Sequence, residues 1–545
     1  MQQSACTEVQ ALPAAPLVCS AQTPAKRRSF RFSGMNPAPR IRERQDSTVN
    51  TQASRQVLTT SAIRKIEASF AASTPSLMQR AGLAAAAFAS RIAAPEGPIL
   101  VLVGPGNNGG DGLVLATELK RMGRTVVVAL AGDADKLPPD ASEALRRWHE
   151  AGGTLRDSVP SLPWALAVDA LLGIGLTRPV TGLIAEWITD FNRLRCPRLA
   201  IDVPSGLDAD TGAIHGIAAR ATHTISFIAL KPGLLTLEGP DQAGDLQLSD
   251  LELPTDAISE AGRWIAPADF TEFAGPRRLN SHKGHFGDAG IIGGQAGMVG
   301  AAWIAGRAAL ALGSGRVFVG CLAPDAPAID PLTPELMMRS ANEVHSLASA
   351  LAIGPGLGQD EAANVHLSRA LAFRGPLVLD ADALNLLGAN PSMHTALSLR
   401  TDATVMTPHP AEAARLLQCS TAQVQAQRLE AAKEIAGRYR AHVVLKGCGS
   451  IIADPQGAWA INRSGNPGMA SAGMGDALTG FVVSLLGQHW PAGAALEAAV
   501  HLHGAAADAL AVGKTGPIGL TASEVIHAAR RVRNGWAEAA LTEAA

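Results

Sequence analysis

In the stretch Asn462 to Gly480 (NRSGNPGMASAGMGDALTG), Gly465, Gly468, Gly473 and Gly475 lead straight into the apolar run ALTGFVVSLLG. A glycine loop that opens onto a helix N-terminus is an anion site. Free backbone N–H groups and the positive end of the helix dipole converge there, and no Cβ keeps a phosphate from the backbone. Asp476 stands at the junction. A carboxylate placed there suits a general base that takes a proton from a hydroxyl attacking a bound phosphate; the alternative is a helix cap, a common place for Asp. On the loop alone the two readings stand level. The loop has neither G-x-x-x-x-G-K-[ST] nor G-x-G-x-x-G spacing, which excludes the two common phosphate motifs.

A second set of chemistry-bearing residues lies in the first half. Asn108, Asp169 and Ser205 follow three apolar runs and bring oxygen ligands suited to a hard cation. The runs Asn107, Asn108, Gly109, Gly110, Asp111 and Gly173, Ile174, Gly175, Leu176, Thr177, Arg178, Pro179 offer backbone donors to a phosphorylated ligand. Asp202 is then a candidate general base, with an ion pair to a nearby Arg as its structural alternative; GPGNNGGDG could likewise be only a tight turn. In the second half Lys446, Gly447, Cys448, Gly449 and Ser450 end an apolar run and could hold a nucleotide through backbone contacts and one cation. His409 in TPHPAE reads as an ordinary buried histidine, commoner than the alternative of a ligand contact, and Asp380 and Asp382 as caps of the next helix.

These residues need elements that bring them to one edge. PILVLV, then GPGNNGGDG, then the helical LVLATELKRMG, then TVVVALAG predict a βαβ unit, hence a parallel sheet with helices on both faces. WALAVDALLG, PRLAIDVPSG and THTISFIALKPG continue it. Ligands of such a sheet gather at the carboxyl ends of its strands. The pattern lapses between Leu251 and Arg278, which marks a join, and a second α/β alternation begins at DAGIIGG. VVLKGCGSIIAD reads as a strand leaving into a hairpin, and the chain ends mostly helical.

A chain of 545 residues holds two or more domains. With 46 basic and 48 acidic residues the net charge is −2, so neither nucleic acid nor a membrane surface is indicated as a partner. The six cysteines (Cys6, Cys19, Cys196, Cys321, Cys419, Cys448) lie far apart without a C-x-x-C pair, as in a reducing cytosol. A cytoplasmic location is expected. No run approaches the ~20 apolar residues of a membrane span. Residues 1–50, rich in Pro, Ser and Arg, are expected to be a disordered leader.

Over about Ser61 to Arg531 the chain resembles the bifunctional NAD(P)H-hydrate repair enzymes, on GPGNNGGDG, GIGLTRP, IDVPSG and ALKPG in the first half and SHKGHFG, IGPGLG, DADALN, TPHPAE, LKGCGS and NPGMASAGMGD in the second. The resemblance implies two α/β domains: a Rossmann-like epimerase over 51–262 and a ribokinase-like nucleotide-dependent dehydratase over 270–540. It implies hydrate contacts at Asn107 to Asp111, Gly173 to Pro179 and Asp202, and potassium ligands Asn108, Asp169 and Ser205. In the second domain it implies hydrate contacts at Ala301, Gly356, His409 and Asp476, and nucleotide contacts at Lys446 to Ser450 and Gly475. A tyrosine found in some family epimerases after the GIGLTRP loop is missing, Tyr439 being the single tyrosine. The implied chemistry is repair of NADHX and NADPHX. The R and S hydrates are interconverted with Asp202 transferring the proton, and the S hydrate is phosphorylated from ADP (or ATP) with Mg²⁺ and Asp476, then loses phosphate. A homo-oligomer is expected. The rival reading is a small-molecule kinase of the ribokinase-like superfamily fused to a non-catalytic binding domain.

Overall fold

The run Ile99–Val103 is buried at every position, as a strand must be when helices cover both faces of its sheet. It is central to the first sheet of a computed structural model that describes residues 41–42, 55–254, 261–512 and 516–543. From edge to edge that sheet runs Ile41–Arg42, Asp245–Ser249, His223–Phe227, Arg198–Ile201, Leu166–Ala170, Ile99–Val103, Val126–Leu130 and Leu155–Arg156, parallel throughout. From Ile99–Val103 the chain builds outward on one side, then returns to the other at Leu166–Ala170. That reversal opens a crevice between the two strands at their carboxyl ends. Ile41–Arg42 come from the stretch expected to be a disordered leader and pair with the edge strand; the rest of residues 1–50 lies outside the described residues.

The second sheet is ordered Met337–Met338, Arg316–Cys321, Asp288–Gly293, Ala350–Ile353, Leu377–Leu379, Thr404–Met406, His442–Leu445, Ile451–Ala453, Trp459–Ile461, Gly262–Trp264 and Gln56–Val57. Its strands are parallel as far as His442–Leu445; the expected hairpin then makes Ile451–Ala453 and Trp459–Ile461 antiparallel, Gly262–Trp264 pairs in parallel with Trp459–Ile461, and Gln56–Val57 is antiparallel at the edge. Its order also reverses, between Asp288–Gly293 and Ala350–Ile353.

The two halves are not separated at the predicted join. Gln56–Val57, from the start of the first half, and Gly262–Trp264, from within the lapse, close the edge of the second sheet. One apolar cluster holds Val203, Leu230, Leu234 and Leu235 together with Ile353, Leu445 and Ile451. Each such side chain contributes roughly 1.5–3 kcal/mol relative to an exposed one. The described residues accordingly form one compact unit containing both sheets. None of their helices is long and apolar enough to cross a membrane.

One local expectation is corrected. GPGNNGGDG is not a loop before a helix: the helix begins at Asn107, with extended Gly106 at its N-cap, and runs to Arg121. Asn, Gly and Asp have weak helix propensity, so packing decides the matter. A Cβ on Gly109 would lie 2.1 Å from the Gly104 carbonyl oxygen, so only glycine lets this first turn press against the strand end.

Candidate functional site

At the carboxyl edge of the first sheet, Asp169, Asn108 and Ser205 come together in the crevice. The Ser205 hydroxyl lies 2.5 Å from Asp169 Oδ1, the Ser205 amide donates to Asp169 Oδ2 at 2.8 Å, and the Leu172 amide donates to Ser205 Oγ at 2.8 Å. Asn108 Nδ2 donates to the Leu172 carbonyl at 3.1 Å, which leaves its Oδ1 buried with no hydrogen-bond partner. An orphaned buried oxygen costs stability unless something fills it. Burial pushes the Asp169 carboxyl up to about 6, against the hydrogen bonds from Ser205. These oxygens form a donor set suited to a hard cation. A Cβ on Gly173 would lie 3.2 Å from that of Asn108, so the loop Gly173 to Pro179 starts beside it; its residues Gly175, Thr177, Arg178 and Pro179 are exposed.

Asp202 adopts left-handed backbone geometry (φ 65°) just past the strand Arg198–Ile201. Its Oδ1 accepts from the buried Lys231 ammonium and from the Phe227 amide at 3.3 Å. Lys231 also donates to Ser226 Oγ at 3.0 Å and to the Phe227 carbonyl at 2.9 Å. The ion pair weighed for Asp202 is therefore real, but its partner is Lys231 rather than an arginine. Both of these contacts fall on Oδ1. Asp111, in the first turns of the helix after Gly106, is held well above the usual carboxylate range by burial and then by Asp202 and Glu67.

The second site is built around Asp380, 1% exposed at the end of the strand Leu377–Leu379. It accepts from Thr407 Oγ1 at 2.7 Å, Thr479 Oγ1 at 2.8 Å and Lys446 Nζ at 3.1 Å. A Cβ on Gly475 would stand 3.4 Å from Lys446 Nζ, so the ammonium sits against the first turn of the helix Met474–Gly487. Burial opposes the charge on Lys446, but Asp380, Glu412 and Asp476 outweigh it and hold the amine above its ordinary value. Asp476 lies in that first turn, yet the N-cap is Gly473 and no side chain caps the helix. Capping is thus not its role. Burial and then Asp380 push its carboxyl up to about 6, against Lys446. A half-buried carboxylate poised near neutrality beside an anion-binding helix end can accept a proton.

Neither Asp380 nor Asp382 caps its helix either: Ala381 is the N-cap, Asp380 is bound as above, and Asp382 accepts from the Gly358 amide at 3.0 Å. His409 is not an ordinary buried histidine, since its side chain is 48% exposed. It caps the helix Pro410–Leu417 through Nδ1, which accepts from the Ala411 amide at 3.1 Å and the Glu412 amide at 3.4 Å. Burial, then Lys446, lowers its pKa. Burial raises Glu412 to about 7 against the pull of Lys446, 4.0 Å away. Ala301 and Gly356 meet at the second sheet's reversal, where a Cβ on Gly356 would lie 3.3 Å from that of Ala301. Ile304, one turn along the same helix, borders Gly473.

Lys446 to Ser450 lie at the same edge, the Lys446 amide donating to the Pro408 carbonyl at 2.9 Å. Sequence reading missed the companions of these residues: Lys231 behind Asp202, and Thr407 and Thr479 behind Asp380. Of these, Lys231 had a signal, since ALKPG ends a predicted strand. Tyr439 does not replace the missing tyrosine. It is buried in the second half with its hydroxyl on the Leu416 carbonyl at 3.1 Å. Cys196, Cys321, Cys419 and Cys448 are free thiols; Cys6 and Cys19 lie outside the described residues.

Two family models match the chain in order. Residues 289–531 match the family model described as NAD(P)H-hydrate dehydratase, and residues 74–233 that described as YjeF-related protein N-terminus. The bifunctional NAD(P)H-hydrate repair enzyme of Escherichia coli is 41% identical, over 80% of this chain and 85% of its own. That of Vibrio cholerae is 37% identical, over 84% and 93%. The crystal structure of the Bacillus subtilis ADP/ATP-dependent NAD(P)H-hydrate dehydratase with ATP and Mg²⁺ is 31% identical, covering 50% of this chain and 98% of that one with a TM-score of 0.44. At this identity and coverage of full-length relatives, with both family models matched in order, the chain belongs to the bifunctional NAD(P)H-hydrate repair enzymes.

Proposed function

We propose that the chain repairs hydrated nicotinamide cofactors, interconverting R- and S-NAD(P)HX at the first site and dehydrating the S form at the second at the expense of ADP or ATP. The observation that carries the second activity is Asp476, uncapping and half-buried, beside Lys446 at a glycine-loop helix start.

Hydration leaves a hydroxyl on C6 of the nicotinamide ring, and hydroxide is a poor leaving group. Asp476 takes the hydroxyl proton as the oxygen attacks the terminal phosphorus of ADP, releasing AMP. Lys446 and the amides of the glycine loop hold the charge on the transferring group. The ring nitrogen lone pair then expels phosphate, and loss of a proton from C5 restores the reduced ring. Mg²⁺ would neutralise the nucleotide's phosphates. It needs only one or two protein carboxylates, and Glu412 stands at this end of the sheet. We assign nucleotide contacts to Lys446–Ser450 and Gly475, and hydrate contacts to Ala301, Gly356, His409 and Asp476.

At the first site, inversion at C6 requires the hydroxyl to leave with a proton and water to return on the other face with loss of one. Asp202, oriented by Lys231, carries that proton, and Asn107–Asp111 and Gly173–Pro179 hold the hydrate. Potassium fits between Asn108, Asp169 and Ser205, where the unpartnered Asn108 Oδ1 gives it a ready ligand, and it would supply a fixed positive charge. The scattered thiols support a cytoplasmic location.

The test is to incubate the protein with S-NADHX, ADP and Mg²⁺. Recovery of the reduced-ring absorbance with AMP and phosphate in equal amounts supports repair; a stable phosphorylated product would make the second half a kinase.

A further inference from the structure

The loop Lys446–Ser450 is fastened by a residue of the other half of the chain. Thr236 is 1% exposed, and its hydroxyl is shared between the carbonyl oxygens of Cys448 at 3.0 Å and Gly449 at 3.1 Å. The Leu237 amide donates to the Cys448 carbonyl as well, at 3.2 Å. The fit is close. A Cβ on Gly449, whose φ is +61°, would fall 1.9 Å from the Leu235 carbonyl oxygen.

Thr236 Oγ1 also accepts from Arg428 Nε at 3.0 Å. Arg428 is 2% exposed at the start of the helix Arg428–Tyr439, and its Nη2 donates to the carbonyl of Lys446 at 3.2 Å. One hydroxyl therefore fixes the backbone at Cys448 and Gly449 directly and joins, through Arg428, the backbone of the lysine that meets Asp380. Peptide planarity ties each amide to the carbonyl of the preceding residue, so fixing these carbonyls fixes the donors that follow them.

We propose that Thr236 is a positioning residue of the dehydratase's nucleotide site, so that the epimerase half completes a binding loop belonging to the other reaction. This rests on the assignment of Lys446–Ser450 to the nucleotide. Thr236 is not among the residues assigned to hydrate or nucleotide; it acts through the loop. Its removal should therefore weaken ADP binding while leaving the proton acceptor Asp476 in place.

The experiment compares Thr236→Val, which keeps the shape and loses the hydroxyl, with Thr236→Ser, which restores it. Thr236→Val should raise the KM for ADP roughly five- to tenfold, the size expected for one net hydrogen bond, with kcat and epimerisation within twofold of wild type. Thr236→Ser should return the KM toward wild type. An unchanged KM in a folded Thr236→Val protein overturns the proposal, as does an equal loss of kcat that Ser does not rescue. If Thr236→Val does not fold, Thr236→Cys, with a weak donor in similar volume, serves the same comparison. Alkylation of the exposed Cys448, mapped by mass spectrometry with and without ADP, separates the two claims. If ADP gives wild-type Cys448 no protection, the nucleotide assignment falls, and the proposal with it. If ADP protects wild type and Thr236→Val at the same concentration, only the role of Thr236 falls; protection that needs more ADP in the variant supports it.

Discussion

Lys446 Nζ lies 3.1 Å from Asp380 Oδ1 and against Gly475, one residue before Asp476. The strand ends after Leu445 and after Leu379 thus deliver a cation and its counter-charge to the start of the glycine-loop helix. Asp380, saturated by Lys446, Thr407 and Thr479, is occupied in holding that cation. Asp476 is the carboxylate to which we assign the proton transfer.

Asp476→Asn should keep the fold and nucleotide binding and lose dehydration by ~10² to 10⁴-fold, the usual contribution of a general base. Because burial and Asp380 raise Asp476 to about 6, wild-type kcat should fall as the pH drops through that value. Glu412→Gln should keep this acid limb, which assigns it to Asp476 rather than to Glu412. Steady-state kinetics on the S hydrate over pH 5 to 8 check both.

The same shift has a stability consequence of opposite sense. A carboxyl whose folded pKa is raised resists ionisation more in the fold than in the unfolded chain, so wild type loses stability as pH climbs from about 4 to about 6. Asp476→Asn escapes that loss. Its melting temperature should match wild type near pH 4 and exceed it above pH 6; an excess of the same size at both ends would point to packing instead of charge.

Asn108→Ala removes the orphaned oxygen in the first crevice. The potassium concentration needed for half-maximal epimerisation should rise ~10- to 100-fold, as for disrupted metal shells generally, while dehydration of the S form stays near normal. Replacing potassium by a bulky organic cation should act on wild type in the same selective way. Equal loss of both activities would indicate a general salt effect.

Much of each site was legible because an open parallel sheet collects its strand ends. Once PILVLV, LAVDA and RLAID were read as parallel strands, Asn108, Asp169 and Asp202 had to share an edge, and they do. What was illegible lacked a period. Gln56–Val57 and Gly262–Trp264 are too short to show an alternation, so the sharing of a sheet edge between the halves left no trace in the pattern. The helix from Asn107 was hidden by residues of weak helical propensity that only close packing admits. The Thr236 to Arg428 contact joins residues 192 apart in sequence, and nothing local to either marks it.

We assign the two reactions of this one chain to two carboxylates, Asp202 and Asp476. A progress curve of reduced-ring absorbance on mixed R- and S-NADHX with ADP and Mg²⁺, run on wild type and Asp202→Asn, tests this assignment most directly. Wild type should proceed through the mixture without a break. Asp202→Asn should consume the S fraction at the normal rate and then slow to the pace of spontaneous epimerisation, with chromatography identifying the remainder as R. Clearance of both isomers in one phase by the variant would contradict the assignment of Asp202, and loss of the fast phase as well would contradict the division into two sites.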